Sequence, residues 1–263
     1  MAKDYGKDKM NVYPVGMGLS TMLRNLLEKF PSNDDEPQFW LRLMYLYPDE
    51  ITEDLIQLME EDKRICRYLD MPIQHINSDI LKRMKRKTSG DDIKQTIQQL
   101  RHRLPDIHIR TSLMVGFPGE TEEQFKELLA FVKEFKLDNV GAFMYSNEEL
   151  ALSSRLNDHI SEEVKEERYA RLMEAQYQVM MENNKHRVQT NQIFDVVIEQ
   201  QKDEDTFIGR YFGQAPDIDS HVIVHKPEEN ISFPILLGER YKVQITDFDE
   251  YDLVGKFTTD NVS

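Results

Sequence analysis

The sequence predicts an α/β protein in two parts: a series of βα units forming a parallel sheet, then a small five-stranded antiparallel β-barrel. Three observations carry this. Between Phe39 and Tyr145, β-prone runs alternate with amphipathic helical segments, the pattern of parallel strands joined by helical crossovers. A long charged helical stretch runs from Ser161 to about Val188, and after Gln189 the pattern changes to short alternating runs separated by polar turns. The expected divisions are residues 1–160 for the βα part, 161–189 for a connecting helix, 190–258 for the small barrel and 259–263 for a tail.

Residues 1 to about 37 read as a loop, the amphipathic helix Leu19 to Phe30, and a second loop carrying Ser32-Asn33-Asp34-Asp35-Glu36. Phe39 to Tyr47, dense in apolar and aromatic residues and closed by Pro48-Asp49, predicts a buried strand, and Thr52 caps a helix through Glu60. Tyr68 to Gln74 predicts a second strand, with Asn77 or Ser78 capping a short helix and a longer helix over Asp91 to Leu104. The run Ile107 to Val115 ends abruptly at Gly116, Pro118 and Gly119. Thr121-Glu122-Glu123-Gln124 then has the form of a capping box, and Phe125, Leu128, Leu129, Val132 and Phe135 recur at helical spacing. Asn139 to Tyr145 is a further strand. The strand, glycine turn and helix centred on Gly116–Gly119 place a ligand site at the strand's carboxyl end. Glycine permits positive φ and close backbone approach, and free N–H groups at a helix start favour anions. Gly and Pro serve any βα turn in the same way, so the motif alone leaves both readings open.

The 263 residues, 40% of them hydrophobic, suffice for a substantial core, and the net charge of −15 disfavours general affinity for nucleic acid or anionic membranes. An RNA contact therefore needs a local patch, and Lys82-Arg83-Met84-Lys85-Arg86-Lys87 is one such stretch or simply a solvated helix face. No apolar run is long enough to span a membrane and the segment MAKDYGKDKM lacks the apolar core of a signal peptide, so a cytoplasmic protein is expected. Cys66 is the single cysteine, which excludes an internal disulfide and any multi-cysteine metal or iron–sulfur site built within this chain.

Several motifs in order, Tyr68-Leu-Asp-Met-Pro-Ile-Gln-His75, Leu81 to Arg86, Arg110 to Thr121, Tyr145-Ser-Asn-Glu-Glu149, Glu162 to Tyr169 and Asp249 to Leu253, resemble the radical S-adenosylmethionine methylthiotransferases. Within that family, Pro72-Ile-Gln-His75 and Asp249 to Leu253 look like the branch that modifies an aspartate of small-subunit ribosomal protein twelve rather than the tRNA-modifying branch. The resemblance implies a partial, open (β/α) TIM-like radical-SAM barrel followed by an OB-like TRAM domain, S-adenosylmethionine as cofactor, and two 4Fe-4S clusters held by cysteines outside this sequence. The chain then corresponds to the carboxyl-terminal part of such an enzyme and is expected to be inactive by itself.

By the same resemblance, Gly116, Phe117, Pro118, Gly119 and Glu120 line the adenosyl side of the barrel, with Gln74 and His75 facing the same cavity. His75 fits a hydrogen-bonded wall position equally well. Arg110 is either a brace of the barrel or a contact to the methionine carboxylate, and Tyr145 is placed by its position at a strand end. Arg210, Asp217, Asp219 and Tyr251 are the expected contacts to the ribosomal protein, whose basic character suits the net negative charge, with ribosomal RNA as a further partner. No residue is assigned a catalytic or metal-binding role, and Cys66 reads as a small buried hydrophobe. Two alternatives stay beside the enzyme reading: a non-catalytic docking module, for which the missing cysteines speak, and the tRNA-modifying branch.

Overall fold

A computed structural model describes residues 18–30, 39–148, 150–227 and 234–258; the loop expected before Gly18, the polar string Ser32–Glu36 and the tail lie outside them. Strands β1 (Leu41–Leu43), β2 (Ile65–Asp70), β3 (His108–Val115) and β4 (Asn139–Met144) form a parallel sheet in that order. Along β3, Ile109, Thr111, Leu113 and Val115 are buried while Arg110, Ser112 and Met114 are half-buried. One face is therefore covered by helices and the other stays partly open, which is the partial barrel expected from the sequence.

The covered face is assembled by helices with identifiable start signals. In α2 (Glu53–Glu61), the Thr52 hydroxyl accepts the Leu55 N–H at 3.2 Å; in α3 (Ser78–Arg83), the Asn77 carbonyl oxygen accepts from Asp79 and Ile80. Reciprocal caps start α4 (Gly90–Arg103) at Ser89 and Asp92, and α5 (Glu122–Phe135) at Thr121 and Gln124. The apolar stripes of these helices bury Ile93, Ile97, Phe125, Leu128 and Val132 with Ile109, Leu113 and Val115 in one core, onto which α1 (Leu19–Lys29) adds Leu23 and Leu27.

Two strands are shorter or shifted relative to the sequence pattern. Of Phe39–Tyr47 only Leu41–Leu43 pairs, because Tyr45 turns into the left-handed region at φ 58° and the chain leaves the sheet. The second strand begins at Ile65 rather than Tyr68 and ends at Asp70. Beyond it Pro72 has no N–H to donate, and Gln74, at φ 70°, rejoins β3 through a single bridge to Leu113.

Helix α6 (Glu162–Gln189) is the expected connector, although Ser161 at its start makes no side-chain cap. Its buried side mixes apolar and polar side chains: Leu172, Ala175, Val179 and Met180 are joined by Lys165, Arg168, Gln176 and Asn184, while Tyr169 is exposed. No helix among the described residues is long and apolar enough to cross a membrane.

The second part is a closed barrel of β5 (Ile193–Gln201), β6 (Thr206–Tyr211), β7 (Val222–His225), β8 (Arg240–Asp249) and β9 (Asp252–Phe257) in the order β5-β6-β7-β9-β8. Its core is Val196, Ile198, Val222, Val224, Val243 and Ile245 with Phe194, Phe207 and Phe257. The purely antiparallel barrel of the sequence reading needs one correction: β7 and β9 pair in parallel. Successive strands alternate in direction, and a ring with an odd number of such strands must bring two of like direction together.

Candidate functional site

The glycine turn after β3 is built by its own residues. Gly116 and Gly119 have φ of 73° and 81°, a region open to glycine at little cost. The Glu120 carboxylate folds back to accept the Gly116 N–H, Gly119 N–H donates to the Asp158 carbonyl at 2.8 Å, and Glu120 N–H donates to the Phe117 carbonyl at 2.9 Å. The anion held by the turn is thus the chain's own carboxylate. Phe117 meets Tyr145, at the end of β4, edge to face at 5.4 Å, and both bury against Ile80.

Helix α6 fastens this turn from beneath. The Lys165 stem lies where a Cβ on Gly116 would sit, and its ammonium donates to the Tyr145 carbonyl at 3.0 Å and to Glu162 at 2.7 Å. Arg168 donates to the Glu120 carbonyl at 3.0 Å and stands 3.6 Å from its carboxylate. His75 reaches the same carboxylate from the β2 side. Its Nδ1 accepts the Asn77 N–H at 2.9 Å, which leaves Nε2 turned toward Glu120 Oε1 at 3.8 Å, both side chains fully buried. Neither of those two atoms has a hydrogen-bond partner among the described residues. Nothing in the sequence periodicity singled out Lys165 or Arg168, since charged residues on an amphipathic helix read as its solvent face.

The structure therefore gathers His75, Gly116, Phe117, Pro118, Gly119, Glu120 and Tyr145 at the carboxyl ends of β2–β4, all buried except the half-buried Gly119, with Gln74 half-buried beside them. Arg110 lies apart, near the amino end of β3. It pairs with Asp70 at 3.0 Å and stands 3.6 Å from Asp219, the bracing arrangement.

Asp219 belongs to the same cluster rather than to an open surface. Its side chain is 3% exposed; it accepts from Tyr68 Oη at 2.8 Å, Asn139 Nδ2 at 3.0 Å and the Ala215 N–H at 2.8 Å, and so ties the small barrel to β2–β4. Burial, together with the Asp219 charge, raises the Tyr68 pKa and keeps the hydroxyl a donor. Of the other expected partner contacts, Arg210 is engaged by Glu199 and the Gln214 carbonyl, whereas Asp217 and Tyr251 are exposed. Arg110, Asp219 and Tyr251 border a cavity of about 390 Å³ between sheet, barrel and α6.

His108 closes the junction. Its Nδ1 lies 3.1 Å from the Asp106 carbonyl and its Nε2 lies 2.9 Å from Tyr211 Oη and 3.2 Å from Arg187, which in turn pairs with Asp138 at 3.1 Å. Burial lowers its pKa below the ordinary 6.5. Above that value both folded and unfolded chains carry it neutral. As pH falls below it, the unfolded chain takes up a proton that the folded chain refuses, so stability drops. Urea midpoints should fall between pH 7.5 and 5.5, and the fall should be shallower in His108→Gln.

The residues present do not fit an iron–sulfur cluster. Cys66 is buried among Tyr68, Ala215, Trp40 and Phe212, and burial pushes its thiol up to about 11, away from the thiolate a cluster needs. Among the described residues no group of three or more His, Cys, Asp or Glu side chains could hold a metal ion. Toward a nucleoside the open face is better suited: the half-buried Gln74, Ser112 and Met114 combine polar edges with an apolar wall.

Comparison with known proteins agrees with this architecture. Residues 16–132 match the Radical SAM superfamily and residues 192–257 match the TRAM domain. The ribosomal protein uS12 methylthiotransferase RimO of Protochlamydia amoebophila is 48% identical over 254 residues, covering 96% of this chain and 50% of that protein. The proteins of the same name from Geobacter sulfurreducens and Chlamydia abortus are each 41% identical, over 96% and 97% of this chain and 53% and 52% of their own lengths. The chain spans about half the length of the curated relatives it matches.

Proposed function

We propose that this chain, a relative of the radical SAM methylthiotransferases, is the cofactor-cradling and docking portion of an enzyme that adds a methylthio group to the β-carbon of an aspartate in ribosomal protein uS12. The observation that carries the reading is 48% identity sustained over 96% of the chain, through both the Radical SAM segment and the TRAM domain. S-Adenosylmethionine would supply the radical and methyl chemistry when bound together with clusters on cysteines that this chain does not carry. Gln74, half-buried on a left-handed backbone where the chain bridges to Leu113 of β3, supplies a polar edge for the adenosyl part. His75, Arg168 and Lys165 hold the Gly116–Glu120 turn and Tyr145 rigid below it. In this reading Arg110 positions strands rather than binding the methionine carboxylate. The small barrel, with Asp217 and Tyr251 exposed, offers an acidic face to a basic ribosomal protein, and ribosomal RNA is a further contact.

By itself the polypeptide is proposed to be catalytically inactive, and its single buried cysteine also favours a second reading, a docking module without radical chemistry. Anaerobic reconstitution with iron and sulfide should give no cluster absorption and no cleavage of S-adenosylmethionine; a reducible band with cleavage would refute the inactivity. A chimera joining the amino-terminal half of the Protochlamydia relative to this chain should load clusters and modify uS12, read by mass spectrometry of the aspartate peptide. A chimera that loads clusters yet leaves uS12 unmodified would leave only the docking reading.

A further inference from the structure

Five of the six residues Lys82–Lys87 are basic in a chain whose net charge is −15. The structure treats them unequally. Arg83 is taken up by Asp158, with both carboxylate oxygens at 2.8 and 2.7 Å. Lys82, Lys85 and Lys87 are exposed, and none of them pairs with an acidic side chain among the described residues. Lys85 is held at φ 61°, so the segment leaves the helix and turns its last two cations, Arg86 and Lys87, into a loop.

That loop faces the Tyr47 ring. Arg86 lies 5.0 Å over the Tyr47 ring, and Tyr47, Pro48, Pro72, Lys85, Arg86 and Lys87 border a cavity of about 370 Å³ whose acidic member is Asp49. Tyr45, two residues before Tyr47 on the segment leaving β1, is 69% exposed. Solvated tyrosine beside unneutralised lysines is the pairing that single-stranded nucleic acid uses: bases stack on the ring and phosphates meet the cations. The small barrel is a poor rival for the same ligand, since residues 190–258 hold fourteen acidic and six basic side chains.

We propose that the loop after α3, with Tyr45 and Tyr47 on the segment after β1, is a binding site for single-stranded RNA. It lies at the carboxyl ends of β1 and β2, the same end of the sheet as the glycine turn, so an RNA strand would run along the rim of the open face. The site refines the general RNA contact named above but rests on charge and geometry, not on the methylthiotransferase reading; loss of RNA binding would leave the chimera result untouched.

The test is fluorescence anisotropy of a short labelled oligouridylate with the full chain, titrated across salt concentration. The double variant K85E/K87E, both positions exposed, should weaken binding by about tenfold or more and make the salt slope shallower by about 1.4, the value for two phosphate contacts on a single strand. Tyr45→Ala should weaken it by about fivefold or more with the slope unchanged. The barrel variant K202E/K256E, of equal charge change, should alter affinity by less than about twofold. Circular dichroism establishes that each variant is folded. The proposal is overturned by absence of binding at low salt, by an equal loss in the barrel variant, by an unaltered affinity in Tyr45→Ala, or by polyglutamate competing as well as oligouridylate.

Discussion

Replacing Asp219 with alanine should cost about 3 kcal/mol and uncouple the small barrel from the sheet. The carboxylate is almost wholly enclosed and accepts from Tyr68 on β2, Asn139 at the start of β4 and the Ala215 N–H of its own loop, with the Arg110 cation of β3 at 3.6 Å. Its removal leaves these donors inside with their desolvation unanswered. The cost sits at the lower end for a broken buried pair because Arg110 keeps Asp70 at 3.0 Å. Asp219→Asn keeps an acceptor for Tyr68 and loses the charge, so it should cost about half as much. Urea unfolding followed separately by a probe in each part would show two transitions in Asp219→Ala where the parent shows one. A single unshifted transition would mean that the polar cluster contributes nothing to holding the parts together.

A larger loss, about 4 kcal/mol, is expected for Glu120→Leu. The glutamate side chain is fully buried between Arg168, His75 and the Gly116 N–H, and without it the Arg168 guanidinium, 7% exposed, remains inside with only the half-exposed Glu122 carboxylate at 3.8 Å as counter-charge. The partner change is the informative control. Glu120→Leu combined with Arg168→Met removes both charges and should recover much of the stability, because an apolar pair of similar volume avoids the desolvation that the ions incur. If the double variant is as unstable as the single one, the loss comes from the missing Gly116 hydrogen bond and not from the stranded cation. The midpoint of chemical denaturation separates the two.

The contrast between these two sites shows how far the sequence carried. Helix starts were readable because caps are local: Thr52, Asn77 and Thr121 satisfy N–H groups two or three residues away. The small barrel was readable from its period-two runs, and only the parallel β7–β9 pairing escaped, since pairing partners distant in sequence leave no local mark. The glycine turn was found by composition, and its function as a site was judged from its backbone and from the family resemblance. That its carboxylate would occupy its own N–H group, and that Lys165 and Arg168 would come up beneath it, depends on the docking of α6, more than forty residues away in sequence. Asp219 was placed on the partner-facing surface for a similar reason: an acidic residue in a polar loop reads as solvated until the fold brings Tyr68 and Arg110 to it.

Helix α6 is one unbroken rod, about 42 Å long at 1.5 Å per residue. Lys165 and Arg168 are nailed under the glycine turn at one end, and Arg187 is bonded to His108 at the other, where the small barrel begins. A tilt of about 5° would swing its far end by about 4 Å, more than any hydrogen bond there can stretch and survive. The barrel and the strand ends therefore cannot drift independently: whatever grips the protein at its carboxyl-terminal part pulls on a lever whose short arm is the floor of the cradle.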